Sequence, residues 1–274
     1  WMDKSEVEYV DWAEDGKIDL EDLGRKLANK PDLFTIAWCS NFLGTIQPMD
    51  QIMELCQQAG VKTLIDASQS IPHIPCDVSQ LGCDYLVFSS HKIYGPSGVG
   101  VLYVKGSELE TLSPVFLGGS MVKEVHSKSY TLNDLPYRFE AGTPNIEGLI
   151  GLGEALEYVL DLGYEDIQQH ETDLIAYAKK YLCEIDEVKL LGPPPEELSA
   201  PLASFLVEGL ESIAVAKILS NRANIVMRSG FHCAQPAHDQ LSSQPSCRIS
   251  LGVYNTQEDV DVFITTLKAC ITGL

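Results

Sequence analysis

The sequence predicts an α/β fold, in which a larger domain with a mainly parallel β-sheet is followed by a smaller α+β domain. The chain has 274 residues, which amounts to about two domains at roughly 150 residues each. Apolar residues make up 45% of it and charged residues 21%, so a sizeable core is expected. In the first half, short apolar runs alternate with segments of helical spacing, which is typical of βαβ units.

The first half contains four candidate strands and one clear helix. Residues 50–59 carry apolar side chains at helical spacing, and Gly60 follows as a stop signal. The candidate strands are residues 34–39, 62–66, 85–88 and 99–104. Ligands gather at the carboxyl ends of strands in open sheets of this kind. Asp66, Ser89 and Lys92 fall at or just after such ends, and they therefore indicate a candidate site.

The second half begins with two long candidate helices and then alternates again. The helices are residues 146–162, 165–183, 212–221 and 257–271, and the strands are 202–207, 225–227 and 247–251, with a proline-rich loop at 193–197. We interpret residues 1–155 as the larger domain, which would bind a cofactor, and residues 156–274 as the smaller one.

The net charge of the chain indicates which classes of binding partner to expect. Nineteen Lys and Arg residues against thirty-nine Asp and Glu residues give a formal net charge of −20. We expect no nucleic acid and no anionic membrane as partner, because both require a cationic face. A basic partner protein remains compatible, and so does a small anionic ligand. No apolar run approaches the roughly 18–20 residues of a membrane span.

The eight cysteines include no C-x-x-C pair, so a zinc ribbon or a thioredoxin-like site has no support. His73, His126, His170 and His238 show no metal-ligand spacing, and we expect no metal site. In a chain of this size the thiols are better explained as buried small side chains in a reducing compartment, either the cytoplasm or an organelle.

The most informative segment runs from Asp84 to Gly100, where a strand leads into Ser-Ser-His-Lys and a turn with three glycines. A lysine at the mouth of a sheet is suited to form a Schiff base with a carbonyl cofactor. Taken alone, Lys92 is better explained as an exposed lysine in a β-turn, which is much the commoner case for a single lysine. Asp66 at a neighbouring strand end favours the cofactor, because pyridoxal 5′-phosphate needs a lysine for its aldehyde and a carboxylate for its pyridine nitrogen.

Five motifs in this order resemble the class V aminotransferase-fold enzymes, and the cysteine desulfurases in particular. They lie at residues 65–73, 89–96, 138–145, 228–234 and 247–250. The last two are similar to group II, SUF-type desulfurases and to selenocysteine lyases. The resemblance runs from Asp15 to the carboxyl terminus. It implies a fold-type I pyridoxal phosphate-dependent transferase that acts as a homodimer.

The resemblance also implies roles for individual residues. Lys92 would carry the aldehyde, Asp66 would pair with the pyridine nitrogen, and Arg248 would clamp the substrate carboxylate. The remaining contacts to the cofactor would come from Asn41 and Gln69 at its phenolic oxygen, Ser89 and His91 at its phosphate, and Thr143 at the phosphate of the other subunit. Asn41 would also lie near the substrate, and Cys233 would be the nucleophile that takes the sulfur.

Each assignment has a simpler alternative that the residues alone leave open. Asn41, Gln69 and Thr143 also suit turns, and Arg248 suits a surface ion pair. Cys233 would be a buried thiol like the others, except that its polar setting beside His232 favours a thiolate. Cys247 lies in an apolar strand and is expected to be structural.

Two departures from the family pattern stand out. Phe231 replaces a histidine of the loop that carries the nucleophile, which affects the surroundings of Cys233 rather than its position. Family members also carry about a hundred further residues before Asp15, including a histidine that stacks on the cofactor and a phosphate-binding turn. The chain therefore resembles a member without its amino-terminal third, and alone it is expected to bind the cofactor weakly or not at all.

The leading hypothesis is a cysteine desulfurase that converts L-cysteine to L-alanine and passes sulfur to an acceptor protein for iron–sulfur cluster assembly. The first alternative is a selenocysteine lyase, acting on L-selenocysteine, or another β-eliminating lyase on the same fold. The second is a truncated, cofactor-free protein that acts only by binding a partner.

Overall fold

The computed structural model describes residues 6–273, and its first sheet has four strands. These are β1 (Leu33–Ala37), β2 (Lys62–Asp66), β3 (Tyr85–Ser89) and β4 (Gly100–Val104), in the spatial order β1-β2-β3-β4. The first three strands are parallel and β4 runs antiparallel to β3. The prediction of a mainly parallel sheet in the first half is confirmed.

Helices α1 (Leu20–Leu27), α2 (Met49–Ala59), α3 (Val78–Leu81) and α4 (Gly106–Leu109) accompany this sheet. The sequence prediction missed α1, although Leu23 and Leu27 share its buried face. Asp19 caps its first turn, and its side chain accepts hydrogen bonds from the backbone N–H groups of Glu21 and Asp22. The buried side chains of α1 and α2 form one core with those of β2 and β3.

A hairpin and two long helices connect the halves of the chain. The hairpin pairs β5 (Val122–Val125) with β6 (Tyr130–Leu132), and α5 (Ile146–Leu162) and α6 (Tyr164–Cys183) follow. The side chain of Asn145 caps α5 by accepting a hydrogen bond of 3.0 Å from the Gly148 N–H. The predicted division at residue 155 would fall inside α5, and it stays a prediction.

The second sheet is antiparallel and has the order β7-β8-β10-β9. Its strands are β7 (Val188–Leu191), β8 (Leu202–Val207), β9 (Arg228–Gly230) and β10 (Ser246–Ser250). The buried side chains of α6, α7 (Ser212–Ala223) and α9 (Gln257–Ile271) share a core with β8 and β10. The short helix α8 (Gln235–Leu241) lies between β9 and β10.

The predicted strand at 225–227 is wrong. Helix α7 ends at Ala223 and is capped by Asn224 in a left-handed conformation, and the next residues belong to no strand. Val226 is 91% exposed. The apolar run therefore connects α7 to β9, which begins only at Arg228, opposite Arg248 of β10.

Polar contacts join the two sheets. Ser204 of β8 donates a hydrogen bond from its hydroxyl to the backbone carbonyl of Phe42, in the loop after β1. Thr45 in that loop forms a β-bridge with Ser199, just before β8. The loop at the carboxyl end of β1 therefore faces β8 of the second sheet. In the part of the chain described, no helix is both long and apolar enough to span a membrane.

Candidate active site

Asp66 and Lys92 lie at the carboxyl ends of neighbouring parallel strands. Asp66 is the last residue of β2, and Lys92 ends the short 3₁₀ turn that follows β3. The half-buried position of Lys92 lowers the pKa of its ammonium group, the charge of Asp66 partly offsets this, and Arg248 lowers it further. The two side chains are thus close enough for their charges to interact.

The turn that carries Lys92 closes tightly over Ser90. The Gly95 N–H donates a 3.0 Å hydrogen bond to the Ser90 carbonyl. A Cβ atom at Gly95 would come within 2.3 Å of the Ser90 hydroxyl oxygen, so only glycine fits there. Within this turn, His91 is exposed and Ser89 is half-buried. The Ser90 hydroxyl is buried and has no hydrogen-bond partner among the described residues.

Arg248 reaches this edge of the first sheet from β10. Its Nη1 donates a 2.6 Å hydrogen bond to the backbone carbonyl of Asn41. Burial lowers the pKa of the guanidinium to about 10, and the positive charge of Arg228 adds to that effect. Nε of Arg248 is buried and has no partner among the described residues. Arg248 therefore keeps a free donor that suits a carboxylate.

Cys233 is displayed on a strained turn. The Ala234 N–H donates a 2.7 Å hydrogen bond to the Phe231 carbonyl, which closes a turn around His232 and Cys233. Both central residues have positive φ, 49° for His232 and 60° for Cys233. Non-glycine residues seldom adopt this conformation, and such strain is held only where surrounding contacts enforce it. His232 is buried, whereas Cys233 is exposed.

A chain of hydrogen bonds holds the ring of His232. Nδ1 of His238 lies 3.1 Å from the Ala234 carbonyl, and Nε2 of both histidines lies 3.0 Å from the Ser246 hydroxyl. A carbonyl only accepts, so Nδ1 of His238 carries the proton and its Nε2 accepts from Ser246. The Ser246 oxygen then accepts from Nε2–H of His232. Burial lowers the pKa of both rings, to about 4 for His232, which favours these neutral forms.

Asn41 links the turn to the arginine. While its carbonyl accepts from Arg248, its side-chain Nδ2 donates a 2.5 Å hydrogen bond to the His232 carbonyl. Asn41 is therefore bonded to Arg248 through its backbone and to the Cys233 turn through its side chain. A change in the position of Asn41 would move both.

Cys247 is a buried thiol, unlike the exposed Cys233. It is 1% exposed, it lies in the central strand β10, and its Sγ is 3.6 Å from the Ser212 carbonyl, to which it donates. Burial raises the pKa of its thiol to about 12. A thiol of that kind is rarely ionised, as expected for a structural cysteine.

Gln69 and Thr143 have other surroundings. Gln69 is half-buried in the turn after β2 and lines a cavity of about 190 Å³, together with His73 and Glu171 of α6. Nδ1 of His73 lies 2.7 Å from a carboxylate oxygen of Glu171. Thr143 is exposed just before α5, and its hydroxyl bonds to no described residue. The assignments of both residues to the cofactor stay predictions.

Sequence reasoning missed three residues that pack against or bond to the turn that carries Cys233, namely Phe42, His238 and Ser246. The Phe42 ring stacks on His238 with their centroids 3.7 Å apart. The helical spacing of His238 from Ala234, which places its ring over the turn, is the one feature of the sequence that could have indicated this role.

Together, the fold and this site define an α/β protein with a lysine, a carboxylate, an arginine and an exposed thiol grouped where its two sheets meet. Residues 2–263 match the family model described as aminotransferase class-V. The chain belongs to the aminotransferase class-V family.

Within this family, the chain is similar to proteins described as cysteine desulfurases. A probable cysteine desulfurase of Synechocystis is 42% identical over 266 residues, which is 97% of this chain and 63% of the relative. The apo structure of a cysteine desulfurase from Thermococcus onnurineus is 35% identical, with a TM-score of 0.93, over 97% of this chain and 66% of that one. A cysteine desulfurase structure from Escherichia coli is 31% identical, with a TM-score of 0.89, over 96% and 64%. The predicted fold is confirmed.

Proposed function

We propose that this protein is a pyridoxal 5′-phosphate-dependent cysteine desulfurase of the SUF type, which converts L-cysteine to L-alanine and leaves a persulfide on Cys233. The observation that carries the proposal is that the Lys92–Asp66 pair, Arg248 and an exposed thiol lie together at the junction of the two sheets. The persulfide would supply sulfur to an acceptor protein for iron–sulfur cluster assembly.

The donors at the sheet edge suit the cofactor. A lysine with a lowered pKa is more often neutral, and a neutral amine condenses with an aldehyde. The Asp66 carboxylate suits a protonated pyridine nitrogen, and Ser89 and His91 suit a phosphate. Asn41 and Gln69 would face the phenolic oxygen, and Thr143 would reach the phosphate of a second subunit. When bound, pyridoxal phosphate supplies an electron sink for bonds at the α-carbon of an amino acid.

Arg248 would orient the amino-acid substrate. Its buried Nε has no partner, while its Nη1 is already held by the Asn41 carbonyl. A substrate carboxylate would satisfy the free donor, and the low-dielectric surroundings would strengthen that contact. The orientation would place the substrate thiol toward the turn that carries Cys233.

Cys233 would then take the sulfur. Its thiolate attacks the sulfur of the bound cysteine, so that a new S–S bond forms while the C–S bond of the substrate breaks. The electrons of the broken bond stay with the carbon skeleton, which takes up protons, one of them from Lys92, and leaves as alanine. Exposure of Cys233 suits this role, because the persulfide must afterwards be reached by an acceptor.

The test is covalent mapping. After addition of excess pyridoxal 5′-phosphate and of borohydride, which makes even weakly bound cofactor permanent on its lysine, peptide mass spectrometry should find the adduct on Lys92, and Lys92→Ala should lose it. After addition of L-cysteine, Cys233 should gain one sulfur atom. An adduct distributed over exposed lysines such as Lys128, with none on Lys92, would refute the proposal. Parallel rates on L-cysteine and L-selenocysteine distinguish a desulfurase from a selenocysteine lyase.

We also propose that the protein forms a homodimer. Large apolar side chains cluster on the segment before the hairpin and on α5. Phe116 is 78% exposed and Ile150 is 63% exposed. Exposed groups of this kind mark protein interfaces, and Thr143 lies in the loop between them. Sedimentation should show a dimer that Phe116→Glu with Ile150→Glu dissociates.

A further inference from the structure

A groove of about 960 Å³ lies at one end of the second sheet, outside the candidate active site. We call it the β7–β8 groove. It is lined by residues 186–189, 205–213, 229–230, 244–245 and 247. Its apolar floor consists of Ile213, which is 48% exposed, and of the half-buried Val188 and Leu210, with the buried Phe205 and Val207 beneath them.

The charges around this groove are almost all of one sign. Its lining includes one exposed lysine, Lys189, and four exposed carboxylates, those of Asp186, Glu187, Glu208 and Glu211. None of the four carboxylates forms an ion pair with a described residue. A concave surface lined by one sign of charge concentrates the electric field and attracts groups of the opposite sign.

The acidic rim is held in place by the backbone. The Glu208 N–H donates a 2.8 Å hydrogen bond to the Glu187 carbonyl, which joins the ends of β7 and β8. Val207 and Leu210 form a β-bridge around Glu208 and Gly209. Gly209 has a φ of 73°, which glycine adopts without strain.

The same groove adjoins the segment that carries Cys233. Its lining includes residues 229–230 at the end of β9 and residues 244–245 just before β10. The segment between these two pairs contains Cys233. Cys233 lies three residues after Gly230, so its Cα is at most about 11 Å from that of Gly230. A chain bound in the groove would therefore need only a few further residues to reach the exposed thiol.

We propose that the β7–β8 groove docks the sulfur-acceptor protein, and that the acceptor presents a segment with Lys or Arg and apolar side chains next to its reactive cysteine. The cationic groups would meet the four carboxylates, and the apolar groups would cover the floor. The inference rests on the proposed function for the identity of the cargo, but the surface and the chemistry of its partner follow from the groove itself.

Transfer from Cys233 needs no further reagent. The thiolate of the acceptor attacks the outer sulfur of the Cys233 persulfide, and a new S–S bond forms on the acceptor. The S–S bond to Cys233 breaks, and its electron pair leaves on Cys233, which returns as a thiolate. The acceptor gains the persulfide that Cys233 loses, so oxidation state and atoms balance.

The test uses disulfide exchange at Cys233, which does not depend on cofactor or desulfuration. Cys183, the other exposed cysteine, is changed to serine, and Cys233 is capped as a mixed disulfide with 5-thio-2-nitrobenzoate. Two synthetic peptides of equal length, each with one cysteine flanked by Lys and Arg or by Asp and Glu, then displace the coloured anion. We expect the basic peptide to react at least about tenfold faster than the acidic one, with an advantage that falls as salt is added.

Glu208→Lys with Glu211→Lys should remove most of that advantage. Glu54→Lys with Asp173→Lys makes the same change in net charge on exposed residues outside the groove and should preserve it. Equal peptide ratios in these two variants would overturn the docking proposal. Asp186→Lys with Glu187→Lys gives a second groove variant should the first fail to fold.

A small neutral thiol separates the two proposals. 2-Mercaptoethanol does not need the groove, so its failure to displace the anion would count against an accessible Cys233 and thus against the proposed function. Fluorescence anisotropy with the basic peptide carrying serine for cysteine still decides the docking proposal in that case. Loss of binding in the groove variant but not in its control supports it, and equal binding contradicts it.

Discussion

His232 and His238 share one hydrogen-bond partner, because Nε2 of each ring lies 3.0 Å from the hydroxyl oxygen of Ser246. Nδ1–H of His238 is used by the Ala234 carbonyl, so Ser246 donates its one proton to Nε2 of His238 and can only accept from His232. This fixes the tautomer of His232, whose backbone carries the strained turn up to Cys233. The hydroxyl of Ser246 thus helps to hold the residue that precedes Cys233.

Ser246→Ala should destabilise the fold and alter Cys233. The change leaves Nε2–H of His232 buried without an acceptor, at a cost of about 1–3 kcal/mol in the free energy of unfolding. Urea denaturation measures the loss, and the rate of Cys233 alkylation by iodoacetamide measures the effect on the turn. Ser220→Ala, on the exposed side of α7, is the control and should change neither.

The stability of the protein should fall between about pH 6.5 and pH 4, in part because of His232. Its pKa is about 4 in the folded protein and about 6.5 in an unfolded chain. The unfolded state therefore binds more protons in this window, and the free energy of unfolding decreases as the pH falls, by about 3 kcal/mol for a full shift of this size. Urea denaturation across the window should show a shallower decrease for His232→Gln, and parallel curves would contradict the assignment.

Asp66→Asn should let Lys92 lose its proton at lower pH. The charge of Asp66 raises the pKa of Lys92 against the larger lowering by burial, so removing that charge leaves the lowering unopposed. Reductive methylation, quantified by peptide mass spectrometry over a range of pH, follows the neutral amine. The exposed Lys128 in the same digest is an internal control and should not shift.

Cys233→Ser and Cys247→Ser should have opposite effects on sulfur transfer. In the protein loaded with pyridoxal phosphate, Cys233→Ser should retain the adduct on Lys92 yet form no persulfide. Cys247→Ser should leave persulfide formation nearly intact, because that thiol is buried and its pKa is raised to about 12. Alanine release at the parent rate by the Cys233 variant would identify the protein as a lyase instead.

Gly95→Ala should disturb the Lys92 turn. The added methyl group would meet the Ser90 hydroxyl at 2.3 Å, and overpacking of this kind costs about 1–3 kcal/mol. Gly153→Ala is the matched control, since nothing lies within 4 Å of the new methyl group in α5. That control should stabilise the protein by up to about 1 kcal/mol. Thermal denaturation of the two variants should therefore shift in opposite directions.

Much of the fold could be predicted because local patterns determine it. The runs that became β2, β8 and α5 have the apolar spacing and polar or glycine boundaries that mark strands and helices in any context. The strand predicted at 225–227 is wrong because strand pairing, which a local pattern does not show, decides where β9 lies. Residues 225–227 are as apolar as a strand, but pairing with β10 selects 228–230 instead, and a contact between distant segments is invisible in a local pattern.

The residues of the candidate site also fall into two groups, those that a local sequence pattern marks and those that only the folded chain brings together. Asp66 and Lys92 could be located because each follows a strand that the sequence marks. The relay from His238 through Ser246 to His232 joins residues up to 14 positions apart, and it exists only once β9, α8 and β10 have folded. The positive φ of Cys233 likewise depends on that packing, since cysteine has no preference for it.

The left-handed turn at His232 and Cys233 also bears on how this protein can be engineered. For two consecutive residues with positive φ, Asn-Gly would satisfy the backbone far better. A search for stabilising substitutions would therefore select against both side chains. Consensus or thermostability libraries should hold these two positions fixed, because the changes that most improve melting temperature here would remove the chemistry first.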